Sequence, residues 1–169
     1  MEDKIQRDSR FFEVIYSDLN LEFELFEIDY IVDKLQLLKK RKIISSFERI
    51  EVPQNKIERS LKSFYIDEKL QKEKYHYFAY IKFFEYNNKF YGLVGGKTNY
   101  PVPDVSLDYL QDNNKDNRIA RAFLKHIDAK WHNEIIIVNH KPLLDKEKDE
   151  RQALFIECFL QRQFNLFNS

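Results

Sequence analysis

Glycine is nearly absent from this chain: 169 residues carry only three, and all of them lie within five positions, at Gly92, Gly95 and Gly96. Glycine is needed where φ is positive or where something must come close to the backbone. A chain that dispenses with it elsewhere and keeps it in one place marks that place as a candidate site.

The length suits one domain, or one domain with a helical extension. Hydrophobic residues at 43% and charged residues at 33% exclude a disordered or membranous chain. No run of eighteen apolar residues occurs, and Met1-Glu2-Asp3-Lys4 lacks the basic-then-apolar pattern of a signal peptide, so no membrane partner is expected. Cys158 is the only cysteine, which rules out an intramolecular disulfide and a thiolate metal cluster within the chain. A reducing, cytoplasmic setting is the expectation. The formal net charge of zero argues against broad coating of nucleic acid, though a local basic groove on an acidic body stays open.

The pattern along the chain predicts an α+β fold: a small mixed sheet built on a β-hairpin with flanking helices, preceded by an N-terminal α/β extension. In the extension, Phe11-Phe12-Glu13-Val14-Ile15-Tyr16 and Leu21-Glu22-Phe23-Glu24-Leu25 read as strand. Ile28, Ile31, Val32, Leu35 and Leu38 recur at helical spacing and run into Lys39-Lys40-Arg41-Lys42, a cluster that suits a helix C-terminus or a phosphate-contacting patch. Pro53 ends the next apolar stretch, and Ile57, Leu61 and Phe64 mark a second helix. The charged segment 67–74 is the candidate boundary, dividing the chain into an extension (1–74) and a C-terminal domain (75–169).

In that domain, residues 75–85 alternate as a strand, Asn87-Asn88 suits a tight two-residue turn, and residues 90–94 return and run into Gly95-Gly96-Lys97-Thr98. After a polar loop with Pro101 and Pro103, Asp116 or Asn117 caps a helix whose apolar stripe is Ile119, Phe123 and Ile127. Ile135-Ile136-Ile137-Val138 reads as a buried strand, and a final helix over 146–164 is apolar around most of its circumference, hence largely buried.

Several chemistries can be weighed directly. Gly95-Gly96-Lys97-Thr98 imitates a nucleotide-binding P-loop, but Tyr91 stands where the first glycine belongs and the two prolines forbid an immediate helix. His76, His126, His132 and His140 lack zinc-binding spacing, and no serine sits on a strand-to-helix elbow. Arg118, Arg121 and Lys125 share one helix face, either a basic stripe or an ordinary solvated surface. Glu157 lies amid apolar residues, so it must meet a cation or reach water along a Glu150–Glu157–Gln161 stripe. The fifteen phenylalanines and ten tyrosines could include a stacking platform for single strands, although aromatics at strand spacing more often form core.

Taken in order, these features resemble the GIY-YIG nuclease domain over about residues 75–169. Phe78-Ala79-Tyr80-Ile81 stands in place of the GIY segment, and Leu93-Val94-Gly95, followed by Gly96-Lys97-Thr98, in place of YIG and its continuation. Arg121 and His126 look like the arginine and histidine of the family's first helix, Glu157 like its metal ligand, and Asn168 like its terminal asparagine. The YIG tyrosine is absent in register; Tyr91, two residues earlier, is its candidate substitute. The loop 99–115 is longer than the family's usual connection.

The resemblance implies a Mg²⁺- or Mn²⁺-dependent endonuclease acting on DNA, of the kind found in restriction, mobile-element or phage-defence systems. Glu157 would hold the metal, Arg121 would stabilise charge on the attacked phosphate, and Tyr80 would help activate water, with Tyr91, Lys97 and His126 assisting. Gly95, Gly96, Thr98, Arg118, Lys125 and Asn168 would meet the DNA, and the N-terminal extension and the 99–115 loop would recognise the target. The competing expectation is a non-catalytic binding, regulatory or immunity protein that retains the fold. Convergence of Tyr80, Arg121 and Glu157 on one cleft separates the two.

Overall fold

A computed structural model describes residues 25–51, 77–98 and 118–168. The expected strand at 11–16, all but Leu25 of that at 21–25, the helix of Ile57, Leu61 and Phe64, the boundary at 67–74, the 99–115 loop and the capping residues Asp116 and Asn117 lie outside them, and Leu25 is not in a strand. The described residues form α1 (Ile28–Lys40), β1 (Ser46–Glu51), β2 (Phe78–Tyr86), β3 (Lys89–Thr98), α2 (Arg118–His126), β4 (Lys130–Asn139), α3 (Lys146–Gln163) and β5 (Phe167–Asn168). The five strands make one mixed sheet in the order β1-β4-β2-β3-β5, antiparallel except for the β3–β5 pair. The protein is thus α+β, as its patterning predicted.

The hairpin at its centre turns on Asn87 and Asn88, with φ of 51° and 61°. Two successive positive values are what a turn matched to strand twist demands, and asparagine tolerates them. β4 returns beside β2 and is buried on both faces from Ile135 to Asn139, which explains its unalternating run.

α1 buries Ile28, Ile31, Leu35 and Leu38. It ends with Lys42 at φ 60°, while Lys42 N donates to Lys39 O (3.0 Å) and Ile43 N to Leu38 O (3.0 Å). That paired arrangement is the usual left-handed helix stop, here without glycine. The Lys39–Lys42 cluster is therefore a helix end, as one of its two readings proposed. β1, which the sequence does not announce, pairs along β4, and α1 packs into the same core as β2, β4 and α3.

The two faces of the sheet carry separate cores. Ala79, Ile81, Phe83, Ile136 and Val138 pack with α1 and α3; Phe84, Leu93 and Val94 pack with Ala120, Phe123 and Leu124 of α2. A bulge opposite Lys82 and Phe83 lets Leu93 and Val94 both join the α2 side. It also lets Gly92 and Gly95, three residues apart, face α1 and α3 together. A Cβ on Gly92 would lie 2.7 Å from Ile31 Cδ1, and one on Gly95 would lie 3.0 Å from Gln161 Cγ and 3.1 Å from Leu166 Cδ1. No glycine has positive φ, so at these two positions close approach is the reason for glycine.

Gly95 to Thr98 continue β3 past the predicted strand end at Val94. Two local expectations need correction. On α2, Ile119 is 54% exposed, while Ala120 and Ala122 are buried, so the inward face is rotated from the expected stripe. The inner face is built from Ala120, Phe123 and Leu124, and Ile119 falls outside it. Nor is α3 largely buried: Leu154 and Phe155 are exposed, and its buried residues are Asp149, Ala153, Ile156 and Leu160.

Candidate functional site

Past its short pairing with β5 at Val94 and Gly95, the end of β3 is paired only with β2 among the described residues. Polar side chains of α3 gather there. Glu150, Ala153, Glu157 and Gln161 fall on one helical stripe, and fully buried Ala153 lets that stripe approach the strand. Lys97 Nζ lies 2.9 Å from Glu150 Oε1 and 5.7 Å from the Tyr77 ring centroid. Gln161 Nε2 donates to Gly95 O (2.8 Å) and to Glu157 Oε1 (3.2 Å). With the contact at Gly95 Cα, this ties α3 to the glycine segment at close range.

Glu157 is half-buried. Burial pushes its carboxyl above the ordinary glutamate value, against the opposing pull of the Lys97 charge and the Gln161 hydrogen bond. Lys97 is bonded to Glu150, so its charge reaches Glu157 without a direct ion pair. Glu157 thus reaches the neighbourhood of a cation without being neutralised by it. The stripe of Glu150, Glu157 and Gln161, one of the two readings of the sequence, exists but turns toward the β3 edge.

Asn168 pairs in register with Gly95, and its residue is exposed. Gly95, Lys97, Glu157 and Asn168 are therefore neighbours, together with Glu150 and Gln161. Gly95 and Gly96 are buried, and the space over Gly95 on the α3 side is taken by Gln161 and Leu166. Thr98, half-buried, ends the strand.

The remaining candidates lie on the other face. Tyr80 alternates with Ala79 and Ile81, so it points toward the α2 side; it is buried, with Lys82 Nζ 5.4 Å from its ring centroid. Arg121 is half-buried on α2, where Lys125 and His126 are exposed and Arg118 opens the helix. Tyr91 packs on Phe84, with ring centroids 5.5 Å apart, roughly 20 Å along the strand from Lys97. The sheet thus separates Glu157 from Tyr80 and Arg121. On the strands themselves, Tyr80 is paired with Gly96, and the α2 residue Phe123 meets Phe167 of β5 at 5.7 Å.

Sequence reasoning passed over two polar groups. Lys82 is only 2% exposed, a lysine inside an otherwise apolar strand, and that interruption was its signal. Asp149 accepts from His140 Nε2 (2.6 Å), Leu143 N (3.1 Å) and Tyr77 N (2.9 Å), with no exposed surface. Its partners lie 6, 9 and 72 residues away, so spacing could not reveal them.

Together these features define an α+β protein with a polar site at one edge of a five-stranded mixed sheet. No family model matches the chain, and no curated protein or solved structure matches it either. Among the described residues no helix is long and apolar enough to cross a membrane, and no three His, Cys, Asp or Glu residues group to hold a metal.

Proposed function

We propose that the protein is a divalent-metal-dependent DNA endonuclease of the GIY-YIG type, working around the β3 edge. The observation that carries this reading is Glu157: a half-buried carboxylate with one oxygen oriented by Gln161, raised by burial, at a strand end made thin by glycine. A hard cation with mostly water ligands needs little more than one such carboxylate, so the donor chemistry fits Mg²⁺ or Mn²⁺. Such a cation, held by Glu157, would polarise a non-bridging oxygen of the attacked phosphate.

Hydrolysis joins a water oxygen to phosphorus and breaks the bond from phosphorus to a sugar oxygen. The water loses a proton to a nearby base, and the leaving oxygen gains one. Tyr80, beside the Lys82 ammonium, is the group of this chain assigned to the water. Arg121 is assigned to the developing charge on the phosphate, with its fork of donors. Lys97 and Asn168 border the same edge and position the backbone of the nucleic acid.

The test is nicking of supercoiled plasmid by purified protein with Mg²⁺ or Mn²⁺, beside Glu157→Gln and Arg121→Ala. Metal-dependent nicking that falls by about a hundredfold in each variant supports the reading. Equal nicking by all three proteins, or none by the wild type on supercoiled, linear and branched DNA, counts against it. A second reading, a binding protein that keeps the fold without the chemistry, is favoured by the separation of Glu157 from Tyr80 and Arg121 by the sheet. It predicts DNA or protein binding that is indifferent to both substitutions and to metal.

A further inference from the structure

A cavity with both apolar and polar walls lies away from the β3 edge, between the end of α1 and the β4–α3 connection. It encloses about 520 Å³, within the range of small-ligand sites. Lys39 and Lys42 from the helix stop, Lys141 from the connection, Ser45, Gln152 and His140 form its polar wall. The described wall contains three lysines and no carboxylate, in a chain whose net charge is zero.

His140 supplies an independent observation. It is 2% exposed, and its Nε2 is committed to Asp149 Oδ1 at 2.6 Å. Its Nδ1 is buried with no hydrogen-bond partner among the described residues. A buried polar atom left unsatisfied is costly, and a native site that contains one calls for a missing partner. Asp149 fixes the ring through Nε2, so the free nitrogen is held in one orientation.

We propose that this cleft binds the phosphate dianion of a small phosphorylated molecule. Three ammonium groups match its charge as point donors, and Ser45 and Gln152 add neutral hydrogen bonds. His140 Nδ1 completes the set by donating an N–H hydrogen bond to a phosphate oxygen, while Nε2 stays on Asp149. Exposed parts of Ile43 and Leu143 in the same wall offer an apolar surface to the rest of the ligand. The proposal does not depend on metal or chemistry at Glu157.

The experiment follows the histidine ring nitrogens by NMR in full-length protein during titration with inorganic phosphate, glycerol 3-phosphate and a dinucleoside monophosphate. The first two should move the His140 Nδ1 signal saturably, leaving the half-buried His132 unmoved. The singly charged diester should bind at least about tenfold more weakly, a difference of about 1.4 kcal/mol. Glycerol 3-phosphate should bind more tightly than inorganic phosphate if the apolar wall contributes. The double variant Lys42→Asn with Lys141→Gln should weaken binding by about tenfold or more, and both substitutions are on exposed side chains; asparagine also accepts the positive φ at position 42. The proposal is overturned if no saturable change occurs at His140, if the double variant binds as the wild type does, or if the diester binds equally well.

Discussion

Toward its two flanks the sheet brings a partly buried glutamate near a cation, and the two acids end in opposite states. Glu134, on β4 beside the β1 edge, receives both Nε and a terminal nitrogen of Arg49. Burial works against its ionisation, but the Arg49 hydrogen bond and charge, helped by His132, outweigh that and hold it below the ordinary value. Glu157, on α3 beside the β3 edge, is buried to a similar degree and is pushed up instead. The difference lies in the partner. Arg49 is committed to Glu134 through a fork, whereas Lys97 is bonded to Glu150 and offers Glu157 only its field. An acid already matched to an arginine has no need of another cation. One left with a desolvation penalty and an orienting amide is the better place to bind one.

Asp149 extends the comparison to full commitment, with three hydrogen bonds and no exposure. Asp149→Ala should cost about 3 kcal/mol or more of stability, because His140 Nε2 and two backbone amides lose their acceptor. A chemical-denaturation curve checks it, and a loss under 1 kcal/mol would show that commitment is not what holds these acids. Next in size, Gly95→Ala should cost about 1–3 kcal/mol and displace Gln161, and with it the carboxylate that Gln161 orients. If the edge is catalytic, nicking should drop by about tenfold or more through that displacement.

How much of this contrast the sequence could announce depended on whether partners were local. The hairpin was legible because Asn87-Asn88 is a local signal, and so were α1 and the buried run of β4. The bounds of α3 were legible too: the expected 146–164 is Lys146–Gln163, and the structure adds Asp145 as its cap, accepting from Lys148 N at 3.0 Å. β1 was not, because an edge strand such as Ser46–Glu51 needs few apolar residues. The inward face of α2 was misjudged because the short apolar run fits more than one rotation of the helix: Ala120, Phe123 and Leu124 go in and Ile119 stays out. At the site, Glu157 stood out as an acid amid apolar residues, and Lys97 and Asn168 were singled out by the resemblance to the nuclease domain. That Glu150 would occupy Lys97, and that the sheet would part Glu157 from Arg121, depended on tertiary packing alone.

Smaller effects sharpen the contrast through pH. Glu134 is depressed in the folded state, so its contribution is present above the unfolded value and is lost as pH falls below about 4.5 through the folded one. Glu134→Gln should therefore flatten the acid limb of a stability-against-pH curve, by no more than about 1 kcal/mol for a partly exposed pair. Glu157 has the opposite sign. Its penalty is present above its raised folded value and disappears below the unfolded one, so Glu157→Gln should slightly stabilise the protein at pH 7. Lys97→Gln should raise the Glu157 carboxyl further, since the lysine charge now lowers it. A fall instead would mean that Lys97 does not act on this acid.

The most direct measurement is a carboxyl ¹³C NMR titration of Glu157 in the full-length protein, with and without millimolar Mg²⁺. Without metal, its midpoint should lie above that of ordinary glutamates and above that of Glu134. Added Mg²⁺ should pull the Glu157 midpoint down while leaving Glu134 where it was. A Glu157 midpoint at or below the ordinary value, or one that ignores Mg²⁺, would contradict the claim that this uncommitted acid is the cation's ligand.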